Sequence, residues 1–339
     1  MSPDVTNSLE KYLDQHGDAD WSRVVAELLP SIHEVDQAAT QIWFRFYPVD
    51  LLRALQRAED PERLAAQLLL QGDYYLKNQI DSSHTFLYGH RFWPEVKKAV
   101  IERAASFDES EAGTDLASLT REIARRAASA AKVQESLLVG ITAVALMTLE
   151  QVGLEAFKAA PGAVRIDARH ARKSPEQILK ERARDDHQGL FGFLKTVDKE
   201  WTVTFNENDD RAKYKMKNAT DLAYGAAKDD SRDWRAADPR CIEGPIPVEC
   251  RSASCGTCWV GVLGGAEKLS DVVVRLEGKR IKEFGYINTL EPKPLIRLAC
   301  QAQVSGAVSI VIPPWNGVFG KYLRAQETTE TEAQSDSSN

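Results

Sequence analysis

From the N-terminus to about residue 160, apolar side chains recur every three or four positions; from Trp201 onward they alternate with polar ones. That change of period predicts a helical N-terminal half followed by a sheet. Ile32, Val35, Ala39, Ile42 and Phe46 fall on one helical stripe, and Asp20 is placed to cap a helix starting at Trp21. Asp60-Pro61-Glu62 supplies a cap, a first-turn proline and a first-turn acid for a helix through Leu70, and Pro94 opens another through about Ala105. Asp115 to Ala160 is rich in Ala and Leu, with Gly140 and Gly153 as candidate breaks. Within it, Leu137 to Leu149 (LLVGITAVALMTL) is apolar throughout but falls short of the roughly twenty residues that a spanning helix needs, so it reads as a central buried helix.

Residues 161–174 are basic, opened by Pro and Gly, and without clear periodicity, which marks a linker. Ser174-Pro175-Glu176-Gln177 is a capping box for a connecting helix running toward Lys195. WTVTFN and RAKYKMK then alternate across an Asn/Asp-rich turn, as a hairpin does, and a short helix is expected over Ala219 to Lys228. Further strands are expected at Trp259 to Leu263, Asp271 to Leu276 and Val308 to Ile312, ended by Pro313-Pro314. The tail from about Ala325 is polar, acidic and almost free of apolar residues, the composition of a disordered segment.

Composition narrows the class. With 43% hydrophobic and 27% charged residues in 339, the chain has room for two ordinary globular domains, and a net charge of −7 argues against a nucleic-acid binder. The polar N-terminus shows neither an apolar signal core nor an Arg-rich presequence, so cytoplasmic residence is expected.

The chemistry concentrates in cysteine. Cys250, Cys255 and Cys258 are spaced C-x4-C-x2-C, and Cys300 follows in a short apolar stretch; this is the ligand spacing of a plant-type 2Fe-2S centre. Each iron needs two thiolates, so one tight loop provides three ligands and a distant segment the fourth. Small residues fill the loop, leaving backbone N–H groups and the hydroxyls of Ser252, Ser254 and Thr257 free to turn toward sulfur. A structural zinc site would show a second CxxC or Cys/His pair, and the chain has one CxxC and no histidine after His187. Disulfides call for an oxidising compartment, and three Cys within nine residues of a Ser/Gly-rich loop are poor core material. Cys241 lies outside the spacing and reads as a bystander.

Residues 201–315 resemble a plant-type 2Fe-2S ferredoxin domain of the β-grasp fold. The resemblance rests on the order hairpin, helix, Ile246-Pro247-Val248-Glu249-Cys250-Arg251, triple-Cys loop, Arg297-Leu298-Ala299-Cys300-Gln301 and closing strand. It implies Cys250, Cys255, Cys258 and Cys300 as the cluster ligands, with Arg251 as the residue following the first. The sequence departs from the family in having Ala253 where Gly is common, an insertion within Gly264 to Leu295, and a long connection over 229–245. Residues 196–315 also hold seventeen basic and seventeen acidic side chains, so the strongly acidic face that steers many such ferredoxins to basic reductases is not expected.

The fold class is therefore α+β, an all-α bundle (1–160), a linker and connecting helix (161–195), a β-grasp 2Fe-2S domain (196–315) and a C-terminal extension (316–339). The bundle resembles no family. His84 and His90 stand among aromatics, but on a continuous helix they would diverge by about 240°, and Gly89 and Pro94 suggest the segment is not one helix; a hydrogen-bonded pair in an aromatic cluster is the expectation. The sequence shows no GxGxxG fingerprint, Walker loop, nucleophile elbow or Glu-x-x-His pair. The expected function is one-electron transfer without bond-making catalysis, as a dedicated donor to a redox partner protein (a reductase or an electron-accepting enzyme) held by the helical domain. Two alternatives stay open: a catalytic or haem-binding helical domain fed by the cluster, and a cluster-based redox sensor controlling a protein interaction.

Overall fold

The computed structural model describes residues 7–184, 199–284, 293–320 and 322. In chain order the first elements are α1 Ser8–Leu13, α2 Asp18–Leu28, α3 Glu34–Phe46, α4 Val49–Arg57, α5 Pro61–Gln67 and β1 Gln71–Gly72. These are followed by α6 Trp93–Ser106, α7 Leu116–Ala131, α8 Ser136–Val152, α9 Leu154–Ala159, α10 Ala168–Ala171 and α11 Pro175–Ala183. The later part holds β2 Glu200–Thr204, β3 Lys213–Lys217, α12 Leu222–Ala226, α13 Trp234–Ala237, β4 Trp259–Gly264, α14 Lys279–Phe284, β5 Ile296–Leu298, β6 Val308–Val311 and β7 Trp315–Asn316. The backbone separates into two units, Met1–Ala54 with Tyr75–Lys180, and Leu55–Tyr74 with Glu181–Asn339. The expected disordered tail and the run of the connecting helix toward Lys195 lie outside the described residues.

The first unit is mostly helical and is organised around α8, whose residues Leu137–Leu149 are all buried. The expected stripe of α3 is buried as well. Gly140 does not break α8: a Cβ there would lie 2.4 Å from Thr40 Oγ1, so glycine serves the close approach of α3. Gly153 (φ +79°) does end α8, as expected, and a further break falls at Lys132 (φ +56°), which ends α7 in the left-handed region. Asp20 does not cap a helix at Trp21. Helix α2 begins at Asp18, and the Asp20 carboxylate reaches back to accept from Gly17 N at 3.0 Å. No helix among the described residues is long and apolar enough to cross a membrane.

Glu150 ends the buried run of α8 and accepts from Trp21 Nε1 at 2.7 Å and from Arg53 Nη2 at 3.1 Å. Burial raises its carboxyl to about 8, outweighing the Trp21 hydrogen bond and the Arg53 charge that pull it down. The folded chain thus holds a proton that the unfolded chain releases near the ordinary carboxylate value. The stabilisation is complete below that value and is lost as pH rises through about 8. Glu150→Gln keeps an acceptor for Trp21 without the charge. Its unfolding midpoint, followed by far-UV circular dichroism, is expected to fall less between pH 5 and 8.5 than that of the wild type, by an amount equivalent to a few kcal/mol; parallel pH profiles would refute this.

In the second unit the predicted hairpin forms: β2 and β3 pair antiparallel with Trp201 opposite Met216 and Val203 opposite Tyr214, all four buried. The mixed five-stranded sheet has the order β3-β2-β6-β4-β5, with β2 parallel to β6 and the other pairs antiparallel. Asp221 caps α12 by accepting from Tyr224 N, and Tyr214 Oη donates to Leu222 O, fixing that helix to β3. The whole is α+β, with a sheet consistent with a ferredoxin-like domain.

The strand expected at Asp271 to Leu276 is absent. Val274–Gly278 is a wide π-helical turn that leads into α14. Val272 is buried but Val273 and Leu276 are exposed, so the run does not hold the alternating buried face of a strand. What turns inward is Glu277.

Leu55–Tyr74 contributes a clasp to this second unit. Gln71 and Gly72 of β1 pair with Asn316 and Trp315 of β7, Asp73 N donates to Pro314 O at 2.9 Å, and Val318 N donates to Leu68 O at 2.8 Å. Gly72 has φ +84°, and a Cβ there would sit 2.4 Å from Pro314 O, so only glycine fits.

Candidate metal centre

The loop between Cys250 and Cys258 turns on three residues with positive φ: Arg251 (+51°), Ala253 (+60°) and Gly256 (+76°). Ala253 therefore takes the conformation that glycine would take more readily, at a cost of about 1–2 kcal/mol. The turn aims donors at sulfur. Ser252 N, Ser254 N and Cys255 N lie 3.4, 3.3 and 3.3 Å from Cys250 Sγ. Burial raises the Cys250 thiol, but the Ser254 side chain, the Ser252 N–H and Cys255 outweigh it and bring it down to about 6. The Thr257 hydroxyl lies 3.1 Å from Cys255 Sγ.

Cys300 comes to this loop from the end of β5. Ala299 N donates to Cys258 O at 2.8 Å, joining the backbones of the two segments. The neighbouring Cys300 sulfur, together with burial, raises the Cys258 thiol far above the ordinary value, and Cys258 in turn lowers Cys300 to about 7. Electrostatically, Cys255 acts on Cys258 and Cys250 on Cys300. The loop and the end of β5 thus bring Cys250, Cys255, Cys258 and Cys300 within one another's electrostatic reach.

Among the described residues no three His, Cys, Asp or Glu side chains are gathered to grip a single metal ion. A binuclear cluster needs a different arrangement, four thiolates shared between two irons, and three cysteines on the loop with a fourth on the adjoining end of β5 fit that demand. Cys241 stands apart. Its buried thiol donates to Pro245 O at 3.3 Å, and burial pushes it up to about 12.

Several supporting residues were not evident in the sequence. Glu277, from the expected insertion, receives Arg297 Nε and Nη2 at 2.8 and 2.9 Å and Leu298 N at 2.8 Å, locking the strand that presents Cys300. Asn316 Nδ2 donates to Thr257 O at 3.0 Å, and Gln71 Nε2 donates to Glu249 Oε1 at 3.0 Å, so the clasp touches both ends of the cysteine loop. Gln301 directly follows Cys300 and turns its amide back toward the sulfur; its position beside a ligand was the available signal. Trp259 is fully buried and packs edge-on against Trp315.

The histidines of the first unit meet each other, because the chain around them is not a continuous helix. His84 Nε2 lies 3.2 Å from Ile80 O and must carry a proton there, so His84 Nδ1 accepts from His90 Nδ1 at 2.9 Å. Burial lowers both rings, His90 to about 4, and His84 packs on Trp93 with ring centroids 4.0 Å apart. This is a neutral hydrogen-bonded pair in an aromatic core.

Neither the curated proteins nor the solved structures yield a match to this chain. Residues 230–305, which contain Cys250, Cys255, Cys258 and Cys300, match the family model of the 2Fe-2S iron-sulfur cluster binding domain; the helical N-terminal unit lies outside the match, and the matched part of the chain is a domain that binds a 2Fe-2S cluster.

Proposed function

We propose that the chain is a one-electron transfer protein in which Cys250, Cys255, Cys258 and Cys300 would hold the cluster. Four cysteines inside a 2Fe-2S binding domain, three on one loop and the fourth on the segment joined to it by the Ala299 N to Cys258 O bond, carry this reading. When bound, the cluster supplies one-electron oxidation and reduction, with a potential of about −400 mV in a plant-type setting. The chain supplies the rest. Its backbone N–H donors on Cys250 and the Gln301 amide on Cys300 offset the added negative charge, and Trp259 and Trp315 pack the interior beside Cys258. Cys250 and Cys255 are half-buried on the loop while Cys258 and Cys300 are buried, so a partner approaches from the Cys250–Cys255 side. The helical unit selects or holds that partner, making the protein a dedicated donor.

Iron and acid-labile sulfide analysis of anaerobically purified protein, with EPR after dithionite reduction, tests this reading. Two iron and two sulfide per chain with a spin-one-half signal are expected. Zinc, haem or no metal would refute it.

A further inference from the structure

We propose that Gln301 sets the redox potential of the cluster by donating a side-chain amide hydrogen bond to the Cys300 sulfur. The inference rests on the electron-carrier reading and adds a tuning residue to it. Gln301 Nε2 lies 2.8 Å from Cys300 O and 3.4 Å from Cys300 Sγ. Both neighbours are acceptors, so the orientation of the amide is decided by chemistry: turned over, Oε1 would face a carbonyl oxygen and a ligand sulfur. Nε2 carries two hydrogens, one for each. The stronger bond to the carbonyl fixes the amide, and the second N–H is left pointing at sulfur.

The backbone holds this geometry. Gln301 N and Ala302 N both donate to Leu298 O, at 2.9 and 3.1 Å, closing a turn directly after β5. The side chain is half-buried, so water screens the contact only in part. Donors on a ligand sulfur stabilise the more negative, reduced cluster more than the oxidised one, and their loss lowers the potential. Backbone donors on Cys250 survive any ordinary substitution. Gln301 is a donor that a single substitution removes.

Two variants separate tuning from a merely structural role. Gln301→Met keeps the length and loses the N–H; Gln301→Glu keeps the shape and sets a negative charge against the sulfur. Both are expected to retain two iron and two sulfide per chain. In an EPR-monitored redox titration, the reduced-to-oxidised ratio at a fixed potential should fall three- to tenfold in Gln301→Met, at most about 59 mV for a one-electron couple, and further in Gln301→Glu. An unmoved or raised potential in either loaded variant overturns the proposal. The wild type gives a second test that does not depend on the variants: with Gln side-chain amides labelled with nitrogen-15, electron-nuclear double resonance of the reduced centre should show coupling to that nitrogen and to an exchangeable proton. Absence of both couplings overturns the proposal as well. A wild type without iron and sulfide would instead show, at the metal analysis, that the electron-carrier reading had failed.

Discussion

Cys300→Ser is expected to abolish the 2Fe-2S centre, with iron and sulfide falling to a small fraction of the wild-type content, whereas Cys241→Ser retains both. Loss of a group that only supports a metal ligand typically costs about 10–100-fold in affinity, so loss of a ligand itself should cost more. Serine is a poor replacement, because its hydroxyl ionises far less readily than a thiol and does not offer a soft sulfur to iron. Cys241 has a different environment: its thiol spans to Pro245 O, a bond that a serine hydroxyl can also make. Metal analysis and the EPR signal of the two variants side by side provide the check. A full cluster in Cys300→Ser, or a lost one in Cys241→Ser, would overturn the ligand assignment.

The parts of this fold that local chemistry dictates were readable in the sequence. Trp201, Val203, Tyr214 and Met216 are buried as their alternation requires, and Ser174 and Gln177 exchange the hydrogen bonds of the expected capping box. Asp60 caps α5 by accepting from Arg63 N at 2.9 Å, as the Asp-Pro-Glu signal predicts. What could not be read depends on distant partners. Val272 and Val273 favour a strand by propensity, but the Arg297–Glu277 ion pair and the solvent exposure of Val273 and Leu276 favour the helical turn that brings Glu277 inward. Gly140 looks like a breaker until the Thr40 hydroxyl opposite it is known.

The candidate site divides in the same way. The cysteine spacing announces its chemistry, because ligand spacing is local for three of the four thiols. The insertion and Leu55–Tyr74 carry no sign of their role, although one supplies the carboxylate behind Cys300 and the other pairs with the strand that holds Thr257. Length marked the insertion as excess and the helical pattern placed Leu55–Tyr74 with the bundle; only three-dimensional pairing shows that they brace the cysteine loop and the strand carrying the fourth thiol.

Glu277→Ala is expected to destabilise the second unit by about 3–5 kcal/mol and to speed loss of the cluster. Arg297 and Glu277 are each 1% exposed, and the Glu277 carboxylate accepts three hydrogen bonds, two from the guanidinium and one from Leu298 N. Removing it leaves a buried cation with Ser270 O as its remaining partner at 2.8 Å, and an unsatisfied N–H in the strand leading into Cys300. The attraction within such a pair largely offsets the desolvation of its members, so replacing both with apolar groups of similar size is far less costly than removing one. Glu277→Leu with Arg297→Met should therefore recover much of the stability lost in either single variant. Denaturant titrations of the single and double variants, with the rate of visible bleaching in the presence of chelator, measure both effects. A loss below about 1 kcal/mol in Glu277→Ala, within the range of an exposed pair, would mean that the insertion does not hold the fourth ligand through this carboxylate. A double variant as weak as the singles would instead place the value of Glu277 in its bond to Leu298 N, which no apolar replacement can restore.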